Sequence, residues 1–216
     1  YDCHRAFYDP SNMVLCVVGN VDPARVSAIA REVLPKAGGA PILRDYGEEE
    51  SSAPARREHA QVMEVSMTQF LAGYKCDPPP EGVDLLRLGM IGDMACDILF
   101  GDSSPLYSRL YEQGLINDTF GGNFDILPGV AYLYVGGDTN DPHAVHAAVT
   151  EEAQRLAREG IDEDFYQRVR RAAYGQMIRG LNSFETIAIS QAEGVFHGYD
   201  YFSFPEVFSS ITKADL

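Results

Sequence analysis

Positive charge is scarce in this sequence. Its 216 residues hold 17 Lys and Arg against 32 Asp and Glu, for a net charge of −15. Nucleic acids and anionic membranes are held by surplus Lys and Arg, so neither is expected as a partner. A basic peptide remains compatible with the charge. Long apolar runs are also missing, and none approaches the roughly 20 residues of a membrane-spanning helix. The first residues lack the basic-then-apolar pattern of a secretory leader. They also lack an initiator Met: residues 1–8, YDCHRAFY, look like the last turns of a helix, and the chain reads as part of something larger.

Cysteine is sparse. Cys3, Cys16, Cys76 and Cys96 form no C-x-x-C pair. Cys16 falls in an apolar strand-like run and Cys96 in an apolar helical one, the setting of buried free thiols. Free thiols point to a reducing compartment, so a cytoplasmic location is the expectation.

Catalytic motifs are absent as well. There is no G-x-S-x-G nucleophile turn and no G-x-x-x-x-G-K phosphate loop. The turn VVGNVDP lacks the G-x-G-x-x-G spacing of a dinucleotide site. The nearest approach to metal spacing is His143 with His146 in HAVH. On a helix both could reach one cation, and a small hydrolase built on them is a conceivable reading. Their helix, however, buries Val145 and Val149, which turns the histidines to water.

What is present is regular patterning. Residues 13–18, MVLCVV, form an apolar β-branched run that predicts a buried strand. Asp22-Pro23 then opens a helix, with Asp22 as cap and Pro23 in the first turn. The polar stretch GEEESSAPAR within residues 40–57 reads as an exposed connection, so residues 1–216 are expected to be a single domain. Alternation over residues 62–75 predicts a strand. Helices follow from residue 83 and from Ser103 or Ser104. Two strands, 117–125 and 130–136, should form a hairpin around Pro128-Gly129. Asp141, Asp162 and the SFET stretch each open a further helix, and the end looks like a turn into one more. The order predicts an α+β fold with a mixed, mostly antiparallel sheet and helices mainly on one face. The bare face should carry alternating polar residues such as QVMEVSM.

Two stretches carry a family likeness. FYDPSNMVLCVVGNVDPARV resembles the entry to the second half of a pitrilysin-family (insulinase-like) zinc metallopeptidase. SSPLYSRLYEQGLINDTF resembles that half's Ser-x-Leu helix, Gly-Leu turn and strand. The order of elements agrees over nearly the whole chain. The resemblance implies an enzyme of paired homologous domains around a chamber, one of which holds zinc through H-x-x-E-H. That motif is absent here. The chain is therefore similar to the non-catalytic half, with zinc expected in a partner half on the same polypeptide or another subunit. It is expected to be inactive alone and to help enclose a peptide substrate. The alternative is a catalytically dead member serving as an assembly subunit. The family's partner half often lends an Arg and a Tyr seven positions apart; here those places fall on Leu110 and Asn117, with Arg109 one residue away. The resemblance thus implies Arg109 and Asn117 as candidate substrate-binding residues, with no catalytic residue and no metal ligand in this chain.

Overall fold

The computed structural model describes residues 1–34, 44–48 and 51–216, with Arg5 and Ala6 described in their backbone alone. Helix α1 (Asp2–Phe7) ends before Asp9, whose carboxylate accepts the Ser11 N–H at 2.9 Å and starts a short 3-10 turn. Helix α2 (Pro23–Val33) opens as the sequence predicts: Asp22 caps it by accepting the Ala24 N–H at 2.9 Å, with Pro23 in the first turn. Residues 13–18, between these helices, do not form the predicted buried strand. They carry no regular element, and no ladder joins them among the described residues. Met13, Leu15 and Val17 point outward, and no residue of α2 is buried. A β-branched run favours an extended backbone, but a strand also needs the free edge of another.

The sheet has three strands among the described residues: β1 (Gln69–Cys76), β2 (Gly121–Leu127) and β3 (Val130–Asp138). Their order is β1-β3-β2 and both pairings are antiparallel. The predicted hairpin is therefore present around Gly129, which takes the positive φ of +79° that its turn needs. Two boundaries move. The first strand begins at Gln69, so QVMEVSM lies outside the ladder with Val62 fully exposed. The second begins at Gly121, not at Asn117.

One face of the sheet is covered by helices. Helix α3 (Val83–Phe100) lies along β2, with Phe124 packed onto Gly92 and the Phe100 ring onto Gly122. Helix α4 (Pro105–Glu112) is capped by Ser104, which accepts the Tyr107 N–H at 3.0 Å. It buries Leu106 and Leu110 completely, as their spacing predicts. Helix α5 (Pro142–Glu159) adds Val145 and Val149 to the same core as Phe100, Phe120 and Val135. A second core forms on the other side of α3. There Met90 and Met94 meet Tyr166 of α6 (Glu163–Gly180) and Phe204 and Phe208 of α8 (Phe204–Ser210). Fully burying one such aromatic contributes about 1.5–3 kcal/mol, so α8 is held by packing. Between them α7 (Phe184–His197) buries only Gly194, leaving Phe184, Ile189 and Phe196 exposed.

Candidate functional site

Among the described residues the other face of the sheet is left largely open, with Leu71 73% exposed on it, and the register defines its surface. Gly122, Phe124, Ala131 and Val135 point to the helices, so their strand neighbours point away. Antiparallel pairing places those neighbours in rows. Leu71 stands opposite Gly136, which stands opposite Gly121; Gly73, Tyr134 and Asn123 form the next row; Lys75, Tyr132 and Asp125 the third. Gln69 and Asp138 close the near end. Hydrogen bonds run along the rows. Asn123 Nδ2 donates to Tyr134 Oη at 3.3 Å, Tyr132 Oη donates to Asp125 Oδ2 at 3.3 Å, and Gln69 Nε2 donates to Asp138 Oδ1 at 3.2 Å. Lys75 Nζ donates to the Ser51 carbonyl at 2.8 Å.

At the glycine end this face forms an open depression of about 710 Å³. Its lining includes Leu71, Gly121, Tyr134, Gly136 and Asp138, together with Thr119, and among the described residues holds no Lys or Arg. Concave sites of such volume suit small ligands and peptide side chains.

The two residues singled out by the sequence come to different places. Asn117 sits in the turn before β2. Its Oδ1 accepts both the Thr119 N–H at 3.0 Å and the Thr119 hydroxyl at 2.5 Å. The Thr119 oxygen in turn accepts the Asp138 N–H at 2.8 Å. Asn117 is thereby tied through Thr119 to the rim of the depression. Arg109 lies on α4 and reaches Glu152 of α5, with Nη1 3.7 Å from Oε2. Glu152 is almost fully buried and is held more closely by Arg155, at 2.8 and 3.2 Å. A buried carboxylate needs such partners, because stripping water from a charge costs several kcal/mol. The two hydrogen bonds that Arg155 donates to Glu152, with a third to Glu159, push the Arg155 pKa up. Glu152 is legible in the sequence as a charge but not as a buried one, since its Arg109 partner comes from 43 residues away.

Other titratable groups belong to the helix layer. His143 is exposed and 3.8 Å from Glu58, and His146 lies parallel to the Tyr74 ring at 6.2 Å. Among the described residues no group of three His, Cys, Asp or Glu side chains is placed to hold a metal ion. The cysteines form no disulfide, and Cys96 is buried while Cys16 is half-buried. Burial pushes the Cys96 thiol up to about 12, helped by Asp93 and Asp97, so it stays protonated and unreactive. Burial likewise raises the Asp93 and Asp97 carboxyls, and Asp97 and Asp125 raise Asp93 further. No described helix is long and apolar enough to cross a membrane.

The class so defined is an α+β domain of helices on one sheet face, with the other face open. The chain belongs to the M16 peptidase family: the family described as Peptidase M16 inactive domain matches residues 1–173. It is 32% identical over 219 residues to the uncharacterised zinc protease YmfH of Bacillus subtilis (strain 168), covering 100% of this chain and 51% of the relative. The fold is shared with an M16-like peptidase from Alicyclobacillus acidocaldarius, with a TM-score of 0.89 at 24% identity over 98% of this chain and 51% of that one. It is also shared with the inactive peptidase domain of a zinc protease from Bordetella parapertussis, with a TM-score of 0.57 at 17% identity over 71% and 83%. The chain spans about half the length of the first two.

Proposed function

We propose that this domain is the non-catalytic partner half of a zinc endopeptidase and closes the peptide chamber of a homologous zinc-bearing half. The observation that carries the reading is the bare sheet face, polar and glycine-rich, in a chain of the M16 inactive-domain family. Exposed apolar surface supports it. Leu15 is 62% exposed, Phe184 64% and Phe196 59%, and large apolar side chains left in water gain from burial against another surface. In this reading the zinc half activates water, and the present half supplies a wall along which an extended peptide lies.

Asn117, at the edge of that wall, and Arg109, in the helix layer beside Glu152, are the proposed substrate-binding residues. Asn117 acts by holding Thr119 at the rim of the depression. Arg109, 43% exposed beside Glu152, keeps donors for a peptide carbonyl. The test is made in the full-length protein. Asn117→Ala and Arg109→Ala should each lower kcat/KM for peptide cleavage while leaving the unfolding temperature within a few degrees. Unchanged kcat/KM in both variants removes them from the site. Failure of the zinc-loaded full-length protein to cleave any peptide in a mixed-sequence library would instead favour an assembly role.

A further inference from the structure

We propose that the depression at the glycine end of the open sheet face is a subsite for a basic side chain of the peptide, an Arg or a Lys. The proposal rests on the peptide-binding reading above and names the substrate feature that this half recognises.

The first observation is a pair of glycines that the fold does not require. A glycine inside a strand weakens it, and often marks a place where a ligand or another backbone approaches closely. Gly122 is explained by the Phe100 ring lying against it. Gly136 is explained by the Phe70 carbonyl, 2.8 Å from where a Cβ would stand, and by Leu71 Cδ1 at 3.1 Å. Gly137 has a φ of +149° and the Phe120 backbone at 2.8 Å. Gly73 and Gly121 have no such reason. A Cβ on either would meet nothing within 4 Å, and neither has a positive φ. Both lie on the bare face, Gly73 opposite Tyr134 and Gly121 opposite Gly136. Their missing side chains leave room beside Tyr134 for something that is not part of this chain.

The second observation is the chemistry of the walls. Leu71 leans over Gly136 on one side. Tyr134, steadied by Asn123, stands on the other. Asp138 closes the end, with its side chain fixed by Gln69 and its backbone by Thr119. An apolar edge, an aromatic ring and a terminal carboxylate match the parts of a long basic side chain. Its methylene stem lies against Leu71, and its cation meets the Tyr134 ring and Asp138. Among the described residues no Lys or Arg lines the depression to compete for Asp138, and the net charge of −15 draws basic peptides in. An apolar or aromatic side chain would leave the carboxylate without a cationic partner.

The experiment uses the full-length protein with its zinc removed by a chelator, so that peptide is bound and not cleaved. Two fluorescein-labelled decapeptides serve as probes, identical except for one central Arg or its neutral isostere citrulline. Fluorescence anisotropy gives each Kd in the native protein, in Asp138→Asn and in Gly121→Leu. The native protein should bind the Arg peptide at least about tenfold more tightly. Asp138→Asn should reduce that preference to about twofold or less, and Gly121→Leu should weaken the Arg peptide while keeping the unfolding temperature. A preference that survives Asp138→Asn reflects general attraction to an acidic protein and overturns the subsite. Equal binding of both peptides by the native protein, or an unaltered Kd in Gly121→Leu, overturns it too. Peptide cleavage by the zinc-loaded protein is read separately, so the proposed function can stand while this subsite fails.

Discussion

Asp93 shows how a single residue sets a pH dependence. It lies on α3, one turn from Asp97, and feels the charge of Asp125 on β2. Burial first, then the two neighbouring carboxylates, raise its pKa above 3.8. A carboxyl whose pKa is raised on folding stabilises the native state while protonated, and this benefit is lost as pH rises through the folded value. At neutral pH the charged Asp93 is therefore a burden. Asp93→Asn should raise the unfolding temperature at about pH 7, and the gain should shrink as pH falls towards 3.8 and the native carboxyl takes up its proton. Thermal melts across that range check it; a gain independent of pH would contradict the cause given. Asp215 carries the opposite sign. Arg87 at 2.7 Å and the Thr212 backbone and hydroxyl hold its pKa down to about 2, so its contribution persists until strongly acidic pH. The sequence displays all these acids, but which of them lose water on folding depends on contacts far away in the chain.

At the scale of elements, the strand glycines separate packing from function. Gly73→Ala and Gly121→Ala add a side chain into open space at ordinary strand backbone. Each should stabilise the protein by about 0.5–1 kcal/mol, the usual cost of glycine inside a strand. Gly92→Ala should do the reverse. Its Cβ would run into Phe124, and such overpacking costs about 1–3 kcal/mol. Denaturant titrations of the three variants decide the matter, and a loss of stability in Gly73→Ala or Gly121→Ala would show a packing role that the structure lacks. Helix starts were legible in the sequence because caps are local. Asp22, Ser104, Asp141 and Asp162 each accept a backbone N–H from the first turn they open. Two elements were not legible. Residues 13–18 look like a buried strand from side chains alone, but pairing is a property of two segments. Helix α8, FPEVFSS, has weak local propensity and forms because Phe204, Val207 and Phe208 are drawn into the core beside α3. The candidate site was only half legible: Asn117 leads to it through Thr119, while the row of Gly73, Tyr134 and Asn123 appears only once the register is known.

At the scale of the molecule, two regions carry surface that fits a larger body. One is the apolar run at residues 13–18 with α2, and the other is the outer side of α7. Neither is buried by the other described residues, and the chain covers about half the length of YmfH. The central claim, that this half completes a zinc-bearing half, is tested most directly by complementation. The zinc half of the parent protein and the present chain are produced separately, and peptide cleavage is measured for each alone and for the two together. The account predicts no cleavage by this chain, weak cleavage by the zinc half, and a gain of about 10²-fold or more on mixing, the scale expected when a substrate is newly held in position. Full activity of the zinc half alone, or cleavage by this chain alone that a chelator abolishes, would contradict it.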